Sequence, residues 1–302
     1  MESMRYLALC LALGVIAVWA GENMFWFNPP EGLRPVDLAI TVIAYAIASG
    51  VGLSLVIWTG VGGLPAAFLG GAVMGYMVEG VIVGTIYDPL PFFWVWTPLA
   101  WHALISGGLV LGVGRAGAVL GPVRMALIWG ALGLGSAFWA QYWPSEVTDG
   151  EPLATTGVLA LYLVGFGGLV VLAQVGMDRI GQLPRPPNAV LWIAPVIALL
   201  VWVAQGVADL NPLRVLLPLV MVLLWWVMRR LGQGGTRVSL GAAVPVWQHA
   251  LVLIAPAIAV VLAPLAWAQG WGTLSANVAV AMATCLLSLV WLGRLIWRAA
   301  RR

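Results

Sequence analysis

Ten apolar stretches dominate this sequence, and each is long enough to cross the ~30 Å hydrocarbon core of a bilayer as a helix. With 62% hydrophobic and 8% charged residues, the chain has too little polar surface to cover a soluble globule. The sequence therefore predicts an all-α integral membrane protein, a polytopic bundle of about ten transmembrane helices in one domain, residues 1–302. The stretches lie near residues 5–21, 37–58, 64–86, 97–114, 122–142, 154–176, 188–207, 213–229, 247–268 and 274–296.

The basic residues set a direction for this bundle, because all fourteen are arginine and they are unevenly placed. If consecutive helices alternate and the N-terminus is cytoplasmic, only Arg34 and Arg214 lie outside. Cytoplasmic loops carry the excess of basic residues in membrane proteins. We therefore expect cytoplasmic N- and C-termini in a multi-pass protein of the cell inner (plasma) membrane. The arginines placed inside are Arg5, Arg115, Arg124, Arg179, Arg185, Arg229, Arg230, Arg237, Arg294, Arg298, Arg301 and Arg302.

The opposite face is predicted to be acidic and aromatic. The acids placed there are Glu22, Glu31, Asp37, Asp88, Glu146, Asp149, Glu151 and Asp209. The tryptophans placed there are Trp19, Trp26, Trp94, Trp96, Trp101, Trp139, Trp143, Trp202, Trp267 and Trp271. We interpret most of these indoles as a belt at headgroup level. A binding platform formed by the outer loops is the alternative.

The first apolar stretch has a second interpretation. Arg5 precedes an apolar run to Ala20, and Val18 and Ala20 before Gly21 match a cleavage pattern. A signal peptide is therefore the alternative to a first transmembrane helix, and its removal would leave nine helices with the same later topology.

The chain offers no recognisable set of metal or cofactor ligands. Cys10 and Cys285 lie in separate apolar stretches, and His102 and His249 are predicted to lie near opposite faces. We expect no metal, no cofactor and no disulfide, and we interpret His249 as an interfacial histidine. The arginines are scattered at helix ends instead of forming a basic stripe, so no nucleic-acid partner is expected.

The third apolar stretch carries the sharpest local pattern. Gly63, Ala67, Gly71, Gly75 and Glu79 recur every four residues and so share one helix face. Small residues at this spacing let two transmembrane helices approach closely. We predict that Gly63, Ala67, Gly71 and Gly75 form a helix-packing groove and that Glu79 faces a neighbouring helix.

Glu79 is the strongest candidate for a functional side chain, because ionisable groups inside a membrane are costly and are usually retained for a role. It lies about 10 Å below the end of the third stretch, and His102 lies about 8 Å below the start of the fourth. We predict a contact across this hairpin, with Tyr87 and Asp88 completing a polar cluster at its mouth. The pair is a candidate for substrate binding, proton coupling or acid–base chemistry; the catalytic residues themselves stay unknown, and a purely structural hydrogen bond is the alternative.

A short part of this region resembles a known family. Glu79, Thr85, Tyr87 and residues 98–101 occur in an order similar to part of the membrane carotenoid hydratase family. The resemblance covers residues 79–101, with different spacings and without that family's later Asp-bearing motif. The helix number and length are similar to those of the drug/metabolite transporter superfamily, but the two halves show no inverted repeat. We assign the chain to neither family.

Three functions remain open from the residues alone. The first is a small-solute transporter or permease with an outward-facing polar site at Glu79 and His102. The second is a membrane-embedded enzyme acting on an isoprenoid or lipid in the outer leaflet. The third is an assembly or structural subunit of a membrane complex. The expected partners are the lipid bilayer, a small-molecule or lipid ligand from the outer face, and a partner transmembrane helix or a second copy of the chain.

Overall fold

The computed structural model describes residues 1–30, 32–88, 91–147, 152–232, 237–271 and 274–302. Three of the acids assigned to the outer face, Glu31, Asp149 and Glu151, lie outside the described residues.

Ten helices in the described part of the chain are long and apolar enough to cross a membrane. They are α1 (Glu2–Phe25), α2 (Pro35–Thr59), α3 (Gly63–Val83), α4 (Phe92–Leu120), α5 (Pro122–Ser145), α6 (Thr156–Ile180), α7 (Asn188–Ala208), α8 (Pro212–Leu231), α9 (Val246–Ala268) and α10 (Ser275–Ala300). Every predicted apolar stretch overlaps one of them. The predicted helical class and the number of spans are confirmed at the level of helix length and composition.

Local sequence explains where these helices begin and end. Pro35 opens α2, where its fixed φ suits the first helical turn. Arg34 and Asp37 form a reciprocal cap there, with the Arg34 guanidinium 2.8 Å from Asp37 Oδ1. Gly60 closes the same helix at φ 69°, a left-handed conformation that favours glycine.

The bundle has two chemically different ends. We call the end that holds the α4–α5, α6–α7 and α8–α9 connections the arginine end, and the opposite end the tryptophan end. Contacts between distant chain segments define the arginine end: Arg115 Nε donates to Leu240 O at 2.7 Å, and Arg302 Nη1 donates to Leu231 O at 3.0 Å. A short antiparallel ribbon lies there too, with β1 (Gln182–Pro184) pairing β2 (Arg237–Ser239) so that Leu183 faces Val238.

Helices α1 to α4 form the centre of the bundle, and α3 is the most buried of the ten. α1 packs against α2, α4 and α6. The Tyr6 hydroxyl of α1 donates to Gly50 O of α2 at 3.1 Å, and Trp19 Nε1 donates to Leu163 O of α6 at 3.1 Å. This packing makes α1 part of the core of the bundle.

The small-residue face of α3 packs against α4 at backbone distance. A Cβ placed on Gly71 would lie 2.7 Å from His102 O, and one on Gly75 would lie 2.6 Å from Pro98 O. From the α4 side, a Cβ on Gly107 would lie 2.4 Å from Ala67 O. The predicted groove thus exists at Ala67, Gly71 and Gly75. Gly63 does not belong to it, because its neighbourhood holds only Pro65 of its own helix.

Most of the tryptophans predicted to form a belt at the tryptophan end are buried inside the protein. Trp19, Trp94, Trp96, Trp101, Trp139 and Trp143 are all buried, whereas Trp26 and Trp271 are exposed. The Trp101 ring centroid lies 4.1 Å from that of Phe25 and 4.9 Å from that of Trp139. We call Phe25, Trp96, Trp101, Trp139, Tyr142 and Trp143 the aromatic cap. The belt interpretation is wrong for the six buried tryptophans. Those in the aromatic cap contact other aromatic rings, which buries more surface than single contacts with lipid headgroups.

Candidate functional site

The structure brings Glu79 and His102 together across the α3–α4 hairpin. His102 Nε2 lies 3.1 Å from Glu79 Oε1, and the two residues are only 1% and 6% exposed. Thr85, just beyond α3, donates its hydroxyl to the other carboxylate oxygen of Glu79. The carboxyl group is therefore held on both oxygens, which satisfies a polar group that would otherwise be costly inside the membrane.

Both partners lie where the helices depart from regular α-helical hydrogen bonding. Gly84 N donates to Glu79 O at 3.0 Å, and Ala100 N donates to Val95 O at 3.1 Å, each spanning five residues. Backbone of this π-helical type continues through residues 78–83 of α3 and 96–113 of α4. Such widened turns are frequent at functional sites, because they rotate a side chain out of the regular packing register.

Two glycines pack against His102, one from α1 and one from α3. A Cβ on Gly21 of α1 would lie 2.7 Å from His102 Cε1, and a Cβ on Gly75 of α3 would lie 2.7 Å from His102 Cβ. Neither position leaves room for a side chain. His102 therefore packs directly against the backbone of α1 and α3 at these two positions.

A second carboxyl group lies beside the pair, and sequence reasoning assigned it elsewhere. Glu22 was predicted on the acidic outer face, but the structure places it half-buried at the end of α1, where it accepts a hydrogen bond from the Tyr45 hydroxyl. The Tyr45 ring centroid is 5.7 Å from that of His102. The site thus holds two acids, a histidine and a tyrosine, which we call the polar cluster: Glu22, Tyr45, Glu79 and His102.

Two of the other predicted site residues do not join this cluster. The Tyr87 hydroxyl donates to Gly80 O at 2.9 Å, and the Arg214 guanidinium lies 5.0 Å from the Tyr87 ring centre. Burial raises the pKa of Tyr87, and hydrogen bonding to Trp202 and the charge of Arg214 oppose this shift. Asp88 is exposed at the tryptophan end. Both residues were predicted to join the cluster only because they are close to Glu79 in the sequence. The turn after Gly84 instead gives Tyr87 other partners and leaves Asp88 exposed.

An apolar cavity of about 610 Å³ approaches the polar cluster from the arginine end. Glycine and aliphatic side chains of α1 to α4 form most of its wall. Its exposed lining residues include Gly62, Arg185 and Ser239, which lie in connections at the arginine end, so the cavity opens there. The volume falls within the ~300–1,000 Å³ typical of small-molecule sites.

The deep end of this cavity meets the polar cluster at Ser106. Ser106 lines the cavity and is only 2% exposed, and its hydroxyl has no hydrogen-bond partner among the described residues. Nδ1 of His102, one helical turn away, is likewise unpaired within the described part of the chain. A Cβ on Gly21 would lie 2.9 Å from that nitrogen and 3.5 Å from Ser106 Oγ, so both atoms face the same small space. An unsatisfied hydroxyl in the wall of an apolar cavity, with a second unsatisfied atom one helical turn behind it, is suited to binding a ligand.

A separate ionic cluster lies at the arginine end and includes the second histidine. Asp178 Oδ1 is 2.5 Å from Arg115 Nη2, and its Oδ2 is 2.7 Å from His249 Nε2. His249 is thus buried and paired, which refines the interfacial interpretation. Asp178 received no role from the sequence, because its partners come from α4 and α9. Over the described ranges, no three His, Cys, Asp or Glu side chains group as metal ligands.

Comparison with known protein families, curated proteins and solved structures finds no match to this chain. The interpretation of the site therefore depends on its own geometry.

Proposed function

We propose that this protein is a membrane-embedded enzyme that performs acid–base chemistry on an isoprenoid- or lipid-like chain. The observation that carries this proposal is the apolar cavity that ends at Ser106, behind which His102 and Glu79 share a hydrogen bond. A long apolar molecule fills such a cavity and displaces its water. Its inner end then meets the Ser106 hydroxyl, which lines the cavity and has no hydrogen-bond partner among the described residues.

In this scheme His102 exchanges protons with the substrate, and Glu79 exchanges protons with His102. Glu79 and His102 are placed to exchange a proton through their 3.1 Å hydrogen bond, and the unpaired Nδ1 of His102 lies one helical turn from Ser106, which lines the cavity. A double-bond shift suits this arrangement, because one carbon gains a proton while another loses one and no further reactant is required. The surrounding apolar wall and the aromatic cap keep bulk water away from the reacting carbons.

The location of the protein follows from the arginines. We propose that the arginine end faces the cytoplasm in the cell inner membrane, as the positive-inside rule favours. The cavity then opens toward the cytoplasmic leaflet, and the substrate enters from that side.

The proposal is tested in the native host, by comparing the apolar lipids of a strain lacking this protein with those of strains complemented by variants. Glu79→Gln and Ser106→Ala are expected to leave one lipid unconverted, with turnover reduced about 10²- to 10⁴-fold for Glu79→Gln. The matched controls are Glu146→Gln, an exposed acid of the tryptophan end, and Ser49→Ala, a second serine of the cavity wall. Both controls should restore the wild-type profile. An unchanged lipid profile in the Glu79→Gln strain, with the protein present at normal level, would remove the proposal.

A proton-coupled permease is the second candidate, and Glu22 and Tyr45 favour it. With Glu79 and His102 they form a series of titratable groups inside the bundle, which suits proton coupling. In this case Glu79→Gln abolishes uptake of a solute while the host lipids stay unchanged. The same set of strains therefore separates the two functions.

A further inference from the structure

The mouth of the cavity carries positive charge, whereas its wall is apolar. Arg185 lines the mouth, is exposed, and donates to Asn188 Oδ1 at 3.1 Å. No acid pairs with it among the described residues. Arg115 also lines the cavity but is held by Asp178, so Arg185 supplies the uncompensated charge.

The first turn of α3 adds backbone donors at the same mouth. The free backbone N–H groups at the start of α3 are those of Gly62, Gly63 and Leu64, because Pro65 has none, and all three residues line the cavity. The residue before the helix, Gly62, has no side chain that could cap it. The N–H groups at the start of a helix and its dipole favour an anion. The start of α3 and the Arg185 guanidinium therefore both favour a negatively charged group of a ligand at the cavity mouth.

The two ends of the cavity are far enough apart for an extended molecule. From Leu64 at the mouth to Met74 near the deep end, α3 rises about 15 Å at ~1.5 Å per residue. A small polar solute would leave the apolar wall unfilled, and a hydrocarbon without a head group would leave Arg185 and the α3 start without a partner. The unpaired, buried hydroxyl of Ser106 marks where the inner end of the ligand arrives.

We infer that the cavity binds a single-chain amphiphile with an anionic head group, carboxylate or phosphate. The head lies between Arg185 and the first turn of α3, and the apolar tail extends to Ser106. This inference rests on the proposed function, because it assigns the substrate class of the same site. It also sets the regiochemistry: the reacting carbons are at the tail end, remote from the head.

Binding of three probes with one common tail tests this inference: farnesyl monophosphate, farnesoic acid and farnesol. The full-length protein is purified in a non-ionic detergent, and dissociation constants are measured by equilibrium dialysis. We expect at least one of the two anions to bind about tenfold tighter than farnesol, as charge-assisted hydrogen bonds allow. The tighter anion identifies the head group as a prenyl phosphate or a fatty-acid-like carboxylate.

Two matched variants locate the head and the tail. Arg185→Gln should abolish the preference for the anions, whereas Arg179→Gln, an exposed arginine of the same end outside the cavity wall, should keep it. Leu53→Trp fills the cavity and should weaken binding of all three probes. Farnesol binding as tightly as both anions, equal effects of the two arginine variants, or unchanged binding to Leu53→Trp would each overturn the inference.

The outcomes are separable from those of the proposed function. Glu79→Gln leaves the cavity and its mouth intact, so the anion preference should persist in this variant while conversion in the host is lost. If Glu79→Gln still converts the host lipid and also keeps the anion preference, the catalytic proposal is contradicted. The head-group site is then still supported.

Discussion

At the scale of single residues, glycines allow His102 to pack closely against the neighbouring helices. Gly21 leaves space for the His102 ring and Gly75 leaves space for its Cβ. A π-helical turn at each partner then brings the two groups to 3.1 Å. The same crowding explains why Nδ1 of His102 and the Ser106 hydroxyl face one narrow space at the deep end of the cavity.

Gly21→Ala is expected to disturb this arrangement directly. The new Cβ would lie 2.7 Å from His102 Cε1, so the ring must move away from α1 or the helices must separate. Overpacking of this kind destabilises a protein by about 1–3 kcal/mol. Thermal unfolding in detergent, followed by circular dichroism, measures the effect.

Gly168→Ala in α6 is the matched control, because no atom outside its own helix backbone and chain neighbours lies within 4 Å of the new Cβ. A helical glycine with free space tolerates alanine within about 1 kcal/mol. Equal stability of the two variants would show that the His102 ring is not held by Gly21.

At the scale of elements, polar groups join helices that are far apart in the chain. Asp178 of α6 binds Arg115 of α4 and His249 of α9, and its Oδ2 also accepts a hydrogen bond from Val244 N at 3.1 Å. Arg115 in turn donates to Leu240 O, next to β2. One carboxylate therefore connects three helices and the segment that borders the cavity mouth.

Asp178→Asn should weaken this connection without changing the shape of the side chain. The loss of charge leaves Arg115 buried and uncompensated, which costs roughly 3 kcal/mol for a buried pair. The midpoint of unfolding in mixed detergent micelles is expected to fall accordingly. Asp209→Asn, an exposed acid of the opposite end, serves as the control and should keep the wild-type midpoint. A similar midpoint in both variants would assign no stabilising role to the Asp178 cluster.

At the scale of the whole molecule, the two ends of the bundle differ in what they expose. The tryptophan end carries the aromatic cap, where the ring centroids of Trp96 and Trp139 lie 5.5 Å apart beside Trp101. The arginine end carries the cavity mouth and the ionic cluster around Asp178. This polarity is a property of the packed bundle, and the arginine count is the basis of the orientation that we propose for it.

Single cysteines at the two ends test that orientation. Cys10 and Cys285 are buried, free and replaceable by alanine, so the background of labelling is low. Asp88→Cys should react with a membrane-impermeant maleimide added outside intact cells, and Arg302→Cys should react only after the membrane is opened. Both positions are exposed in the structure. The reverse pattern would invert the topology and place the cavity mouth outside the cell.

The sequence by itself determined the helical class, the ten spans and the Glu79–His102 contact. The bilayer thickness sets the length of each apolar stretch independently of the other helices. The hairpin between α3 and α4 is short, so the depths of Glu79 and His102 below the helix ends were enough to predict their contact. Only the tertiary structure decided the rest: Glu22 and Tyr45 in the polar cluster, the tryptophans in the aromatic cap, Asp178 between three helices, and the cavity with its mouth at the arginine end. These features depend on which helices are neighbours and how each is rotated. In lipid, apolar surface does not reveal that choice, because a lipid-facing and a helix-facing side chain can be equally apolar.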